Sequence, residues 1–220
     1  MGINYYDKDY FENGHKTGKS GYSNYQWLGE PTLKMSNSII RYCDLEINNS
    51  ILDYGCAKGF LIKAFKLNGF VNTFGCDVSK YAVENADAEV KKDITLLDNN
   101  KNICEQFNGK VFDLVISKDV FEHIPLNYLP ELLYQLSKIS KKMFLAIPLG
   151  DESNRFLIPE YHNDASHVTI ISDRNWTDLF KKDWEIIKKD NRVEGLKDYW
   201  FDVNPKGNGF YLLTSKNFSQ

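Results

Sequence analysis

The sequence predicts an α/β protein built on a mainly parallel sheet that is covered by helices on both faces. From Pro31 onward, short apolar runs of strand length alternate with longer segments in which apolar residues recur at helical spacing. A strand followed by a helix and a second strand forms a right-handed crossover, which makes the two strands parallel. The first such unit contains the glycine-bearing turn of residues 51–59, ILDYGCAKG. The alternation therefore favours one sheet with helices packed on each side.

The individual elements follow from the spacing of apolar residues, which is different in helices and in strands. Helices are predicted at 31–45, 59–69, 79–88, 126–139 and 172–182. Strands are predicted at 50–55, 71–77, 89–94 (the weakest), 111–117, 141–148, 183–190 and 209–215. Ser79 is a candidate N-cap for the third of these helices. The last two strands have no clear helix between them, so we expect a long-range hairpin that places an antiparallel strand at the sheet edge.

Residues 1–30 differ from the rest of the chain because they combine many aromatic side chains with Gly and Asn. Gly and Asn favour turns, while the aromatic rings need a surface to pack on. We therefore expect an ordered N-terminal arm or lid (residues 1–30) in front of a single domain (residues 31–220). A disordered tail, or an arm packed on the helix at 32–45, are the alternatives.

Composition excludes several classes of protein. The net charge of −3 is unlike that of a protein that coats nucleic acid. The sequence has no apolar run long enough for a membrane span, and its start does not resemble a secretory signal. The four cysteines are not spaced as metal pairs, and we expect reduced thiols in a cytosolic protein.

The turn at 51–59 has the features of a nucleoside-cofactor site. Gly55, Ala57 and Gly59 alternate directly after the first strand, which lets the backbone approach a ligand closely. Asp77 ends the second strand, and a carboxylate at that place can accept hydrogen bonds from both hydroxyls of a ribose. A dinucleotide fingerprint would require a third glycine where Phe60 stands. Asp53 beside the turn suits a cofactor with an ammonium group, whereas it would repel a pyrophosphate.

The pattern D-x-G-x-A-x-G resembles that of the class I SAM-dependent methyltransferases. Residues 111–125, VFDLVISKDVFEHIP, and 167–180, HVTIISDRNWTDLF, are similar to later segments of the same family. The resemblance implies a Rossmann-like, seven-stranded sheet with the last strand antiparallel, and S-adenosyl-L-methionine (SAM) as cofactor. It places cofactor contacts at Asp53, Gly55, Ala57, Gly59, Asp77, Val78, Asp93, Ile94 and Ser117. Asp93 and Ile94 would serve the adenine, and Tyr22 and Tyr25 of the arm could cover the bound cofactor.

Candidate catalytic residues follow the fourth and fifth strands. His167 is the first choice for a general base because imidazole titrates near neutral pH, and His123 and Asp119 are further candidates. The alternative for both histidines is a structural hydrogen-bonding role. The spacing of Asp119, Glu122 and His123 is similar to that of a motif in metal-dependent RNA 2′-O-methyltransferases. A metal is therefore possible there but not expected.

The sequence thus predicts methyl transfer to a hydroxyl of a small polar acceptor. The arm resembles that of methyltransferases of bacterial polysaccharide and modified-sugar pathways, which suggests a sugar or nucleotide-sugar. The alternatives are a methyltransferase of RNA ends and a non-catalytic SAM-binding module, with a dehydrogenase as a more distant one.

Overall fold

The computed structural model describes residues 3–218 and contains a seven-stranded sheet. The strands are β1 (Ile51–Tyr54), β2 (Thr73–Asp77), β3 (Ile94–Leu96), β4 (Phe112–Lys118), β5 (Ser140–Pro148), β6 (Trp184–Asp190) and β7 (Asn208–Ser215). Their order is β3-β2-β1-β4-β5-β7-β6, and β7 is antiparallel to both of its neighbours. The predicted α/β fold with an antiparallel last strand is confirmed.

Nine α-helices lie in the described part of the chain. They are α1 (Lys8–Glu12), α2 (Gly14–Thr17), α3 (Glu30–Cys43), α4 (Phe60–Leu67), α5 (Lys80–Glu84), α6 (Ile103–Gln106), α7 (Leu129–Ile139), α8 (Asp173–Phe180) and α9 (Asp198–Val203). Short 3-10 turns occupy Ile3–Tyr5, Lys91–Asp93, Phe121–His123 and Pro159–Asn163. Ser79 caps α5 as predicted, since its hydroxyl accepts the backbone N–H of Ala82 at 3.0 Å.

The sheet separates two apolar layers. On one face α7 and α8 pack over alternate residues of the central strands, with Trp176 and Trp184 fully buried. On the other face α3 and α4 cover residues such as Ile51 and Phe144. Each central strand therefore faces a helical layer on both sides, which is why these strands read as continuous apolar runs in the sequence.

The N-terminal arm is ordered over its described residues. Tyr10 and Phe11 are buried and form a small apolar cluster with Ala82 of α5. Lys58 binds the carboxylate of Glu12 at 2.6 Å and the carbonyl oxygen of Tyr25 at 2.9 Å. The arm thus packs on α5 and on the turn after β1, and the described residues do not form a disordered tail.

Two sequence predictions of position are wrong. Residues 89–94 do not form the third strand, because Lys91–Asp93 make a 3-10 turn and β3 begins only at Ile94. The antiparallel strand is also not at the edge: β7 inserts between β5 and β6, and α9 lies in the connection that we expected to lack a helix. Inserted there, β7 pairs on both of its sides, which leaves β6 as the edge strand.

Among the described residues, no helix combines the length and apolarity that crossing a membrane requires. All four cysteines are free thiols, and Cys43, Cys56 and Cys76 are buried, as expected from their positions in apolar segments.

Candidate active site

A cavity of about 660 Å³ opens at the carboxyl ends of β1, β2, β3 and β4. The strand order reverses direction at β1 and β4, and ligands of open α/β sheets bind at this kind of switch point. The residues lining the cavity come from these strand ends, from α7 and from the N-terminal arm: Tyr6, Tyr10, Phe11, Tyr22, Tyr54, Gly55, Ala57, Asp77, Val78, Leu97, Asn99, Asp119, Val120, His123, Ile124, Pro125, Tyr128 and Leu132.

The turn after β1 is held against the end of β2. The carboxylate of Asp77 accepts the backbone N–H of Ala57 at 2.7 Å and that of Ser79 at 2.7 Å. Gly55 and Ala57 both have positive φ, +83° and +49°, so the turn uses conformations that glycine adopts most easily. Burial outweighs these hydrogen bonds and raises the pKa of Asp77. Each Asp77 oxygen retains a lone pair that can accept a hydrogen bond from a ligand.

Asp53 is a buried carboxylate without a hydrogen-bond donor among the described residues. It is 5% exposed, and burial followed by the charge of Asp77 raises its pKa to about 7. Tyr25 of the arm stacks on Phe60 nearby, and burial and the charge of Asp53 raise the pKa of the Tyr25 phenol. A buried carboxylate in this state is stabilised by a nearby cation.

Of the predicted cofactor residues, six do not line the cavity: Asp53, Gly59, Asp93, Ile94, Ser117 and Tyr25. Asp93 lies at the amino end of β3 and forms an ion pair with Lys66 of α4. Ile94 packs with Cys56, and the space that a side chain on Gly59 would need is filled by Ile94. Because Leu96 pairs with Asp77 at the end of β2, the residues that follow Leu96 are the ones level with the cavity.

The residues of this segment that line the cavity lie further along the chain than predicted. Leu97 and Asn99, after β3, line the cavity in place of Asp93 and Ile94. Val78 lines it as predicted, and Ile124 and Leu132 add apolar surface on the opposite side. Ser117, the residue before the last of β4, does not line the cavity, and its buried hydroxyl has no hydrogen-bond partner among the described residues.

Asp119 lies in the cavity wall and is neutralised by two lysines. Its carboxylate pairs with Lys118 and with Lys197, whose side chain is 6% exposed. Burial alone would raise the pKa of Asp119, but the charges of the two lysines outweigh it and hold the pKa below the usual range. Asp119 therefore acts as an acceptor of these ammonium groups and not as a proton acceptor. The sequence did not indicate a role for Lys197, because no local pattern shows that the segment containing α9 packs near the end of β4.

Glu122, which is buried, forms a cluster beside Asp119 with the half-buried His123 and His167. The backbone carbonyl oxygen of Glu122 accepts the N–H groups of Val168 and Thr169, at 2.8 and 2.9 Å, which brings His167 against the turn at 121–123. The rings of His123 and His167 have centroids 4.6 Å apart. Their ligand atoms and those of Glu122 all lie within 4.8 Å of one another. The predicted trio with Asp119 is thus replaced by a trio with His167.

The protonation of this cluster follows from its burial. Burial and the charge of Asp119 raise the pKa of Glu122 to about 8, so this acid is protonated near pH 7. Burial and the neighbouring His167 lower the pKa of His123 to about 4, and burial lowers the pKa of His167. Both imidazoles are therefore neutral at pH 7.

The two histidines differ in their access to the cavity. His123 lines the cavity, whereas His167 lies behind it, with Nδ1 donating to the carbonyl oxygen of Tyr161 at 2.6 Å and Nε2 4.0 Å from Glu122. The geometry thus favours His123 over His167 as the group that can reach a ligand.

The sequence did not single out Tyr6, Tyr10 and Phe11 of the arm, which line the cavity. The high density of aromatic residues in this segment was the feature that could have indicated them.

Comparison with known proteins identifies the family. The family described as "Methyltransferase domain" matches residues 31–184. The chain therefore belongs to the methyltransferase domain family, and the predicted cofactor of this SAM-dependent family, SAM, is confirmed.

Curated relatives match the chain only in part. The ribosomal protein L11 methyltransferase of Fusobacterium nucleatum is 26% identical over 141 residues, which cover 61% of this chain and 44% of that protein. The ribosomal protein L11 methyltransferase of Thermotoga maritima is 34% identical over 98 residues, covering 44% of this chain and 36% of that protein. The chain spans less than half the length of these relatives.

Solved structures share the fold at low sequence identity. A chain of the complex between the Haloferax volcanii Trm112 methyltransferase activator and a methyltransferase has a TM-score of 0.63 at 17% identity, covering 83% of this chain and 89% of that chain. A SAM-dependent methyltransferase from Clostridium acetobutylicum has a TM-score of 0.61 at 15% identity, with 82% and 90% covered. At these identities the likeness concerns the fold alone.

Proposed function

We propose that the protein transfers the methyl group of SAM to a hydroxyl group of a small polar acceptor, such as a sugar or nucleotide-sugar. The observation that carries the proposal is a single cavity with carboxylates at the strand ends on one side and the imidazole of His123 on the other. SAM supplies a methyl group that is already activated by its sulfonium. The chain must therefore orient two ligands and remove one proton.

Residues of the strand ends would hold the cofactor. Asp77 suits the ribose hydroxyls, because its carboxylate reaches the cavity and retains acceptor capacity. Asp53 suits the ammonium group, because it is buried and has no donor of its own among the described residues. The apolar surface of Val78, Leu97 and Leu132 suits the adenine.

His123 would take the proton of the acceptor hydroxyl. It lines the cavity and is neutral at pH 7. Its lowered pKa makes it a weak base, but the hydroxyl becomes strongly acidic as its oxygen bonds the methyl group, so a ring nitrogen can then take the proton. His167 and Glu122 lie behind it and would support its position.

The N-terminal arm favours a small acceptor over a folded protein. Tyr6, Tyr10, Phe11 and Tyr22 line the cavity and cover it from one side. Their ring faces can stack on a sugar or another flat apolar surface. This cover leaves little room for a protein surface of the kind that a ribosomal protein would present.

A screen for methyl uptake tests this proposal. The protein is incubated with SAM and with nucleotide-sugars, phenolic acids and short RNAs, and methylated products are detected by mass spectrometry. We expect a product with a sugar hydroxyl. Methylation only on nitrogen, or only on a protein, would overturn the proposal.

Substitution of His123 tests its role. With the acceptor from the screen, His123→Gln should lower kcat by about 100-fold, while the Kd for SAM stays within about threefold. His15→Gln is the matched control, because His15 is exposed on α2. An equal loss in His167→Gln with no loss in His123→Gln would reassign the base to His167.

A second candidate function is metal-dependent methylation of an RNA end. The cluster of Glu122, His123 and His167 favours it, because one carboxylate and two imidazoles within 4.8 Å can share a divalent cation. Titration of the protein with Mn²⁺, followed by electron paramagnetic resonance, tests the cation alone. Binding that is lost in Glu122→Gln, together with activity on RNA that requires the metal, would favour this alternative.

A further inference from the structure

A chain of hydrogen bonds connects the N-terminal arm to the imidazole of His123. The hydroxyl of Tyr10, on α1, donates to Asp164 Oδ2 at 2.9 Å, across 154 positions of sequence. Asp164 Oδ1 accepts both the backbone N–H of Ser166 at 2.8 Å and its hydroxyl at 2.5 Å. Ser166 Oγ lies 2.8 Å from His123 Nδ1. Tyr10 and Ser166 are buried, at 4% and 1% exposure, whereas Asp164 and His123 are half-buried.

The direction of each bond determines the tautomer of His123. A carboxylate has no proton to donate, so Asp164 accepts from every partner. The one hydroxyl proton of Ser166 is therefore directed to Asp164, and Ser166 Oγ must accept the proton of His123 Nδ1. In a neutral imidazole this leaves Nε2 unprotonated.

We propose that docking of the N-terminal arm completes the catalytic centre. Tyr10, acting through Asp164 and Ser166, holds His123 in the tautomer that offers an unprotonated Nε2 as proton acceptor. Tyr10, Asp164 and Ser166 are positioning residues, and only His123 touches the reacting hydroxyl. This inference rests on the proposed function, in which His123 is the base.

The same arm residues cover the cavity, so the two tasks are coupled. Tyr10 lines the cavity, and Tyr6 beside it packs edge-on against both Tyr10 and His123, at centroid distances of 5.1 and 5.9 Å. When the arm leaves, Asp164 loses one of its three donors and His123 loses an aromatic neighbour. The base is thus fully oriented only while the cavity is covered, which keeps water out during the transfer.

Substitutions of single hydroxyl groups test the relay. Tyr10→Phe and Ser166→Ala should each lower kcat by roughly 10- to 100-fold, with the Kd for SAM changed less than about threefold. Ser166→Thr keeps the hydroxyl and should recover most of the activity. Tyr5→Phe is the matched control, because Tyr5 lies in the same aromatic cluster but donates to the carbonyl oxygen of Lys19.

Nitrogen-15 spectra of the histidine rings in the protein give a readout that needs no acceptor. For His123, assigned by comparison with His123→Gln, we expect a protonated Nδ1 and an unprotonated Nε2. This pattern should be lost in Ser166→Ala and weakened in Tyr10→Phe.

The outcomes separate the relay from the proposed function. A wild-type His123 that carries its proton on Nε2, or a kcat of Tyr10→Phe equal to that of Tyr5→Phe, would overturn the relay even if methyl transfer is found. If no acceptor hydroxyl is methylated, the proposed function fails, and the ring spectra alone then decide whether the relay sets the tautomer.

Discussion

At the scale of single residues, the buried carboxylates Asp53 and Asp77 lie where we propose that SAM binds. Asp53 is ionised only above its raised pKa of about 7, because burial and Asp77 disfavour its charge. The charged form is the one that attracts an ammonium group. Binding of SAM by Asp53 should therefore release a proton and depend on pH.

We expect the affinity for SAM to fall by about tenfold when the pH is lowered from 7 to about 5.5. The sign follows from the pKa: lowering the pH through about 7 protonates Asp53 and removes the charge that holds the ammonium group. Calorimetry across this pH range measures the change in affinity. The range lies below the pH at which the α-amino group of SAM loses its proton, so SAM keeps its charge throughout. Asp53→Asn should bind SAM weakly and without this pH dependence. If the SAM affinity of Asp53→Asn still falls with pH as in the wild type, the pH dependence belongs to another group.

Gly55 illustrates a second constraint at this scale, since both its conformation and its surroundings exclude a side chain. Its φ is +83°, and a Cβ there would lie 2.4 Å from Val120 Cγ2. Gly55→Ala should lower the free energy of unfolding by about 1–2 kcal/mol for the backbone conformation and by a further 1–3 kcal/mol for the overlap. Denaturant titration measures the sum of these two contributions to the free energy of unfolding.

Gly109→Ala is the control for Gly55→Ala. Gly109 has a φ of +71°, but no atom lies within 4 Å of the added Cβ, so only the backbone term applies. Equal losses in the two variants would mean that Val120 moves aside without penalty.

At the scale of elements, α5 joins the arm to the sheet through its N-cap. The hydroxyl of Ser79 accepts the N–H of Ala82 and donates to the carbonyl oxygen of Tyr6 at 2.6 Å. One side chain thus caps a helix and attaches the arm.

Ser79→Ala should lower the free energy of unfolding by about 1 kcal/mol and also speed the hydrogen exchange of amides in residues 3–17. Ser172→Ala is the matched control, since Ser172 caps α8 in the same way and lies outside the arm. If the control speeds exchange in the arm equally, the effect is one of global stability and not of the bond to Tyr6.

At the scale of the whole molecule, binding of SAM and docking of the arm are expected to be linked. Glu12 of the arm accepts from Lys58 at 2.6 Å and from Tyr81 at 3.0 Å, and Lys58 follows the turn that lines the cavity. If the arm covers bound SAM, then SAM must stabilise the docked arm by the same free energy that the arm adds to SAM binding.

Glu12→Gln should therefore raise the Kd for SAM by roughly tenfold, because Lys58 then keeps a buried charge without its carboxylate partner. Hydrogen exchange should show faster exchange in α1, while the central strands are unchanged. Asp44→Asn breaks an exposed ion pair with Lys188 and serves as control. Loss of protection throughout the sheet would contradict a local effect on the arm.

The sequence by itself determined the fold class, the cofactor of the family and the place of Gly55, Ala57, Asp77 and Val78 at the cavity. These depend on local patterns: the periods of the apolar residues give the strands and helices, and the turn after β1 needs small residues next to an acid at a definite spacing. For the same reason Ser79, Asp77 and Val78 were placed correctly from neighbouring residues alone.

Only the tertiary structure decided which side chains meet. A shift of a few residues in the start of β3 moved Asp93 away from the cavity, because strand register depends on pairing with β2 and not on local composition. The ion pair of Lys197 with Asp119 and the path from Tyr10 to His123 join segments that are far apart in the chain. Burial then set the charges of Glu122 and His123, since the dielectric around a side chain is a property of the folded molecule.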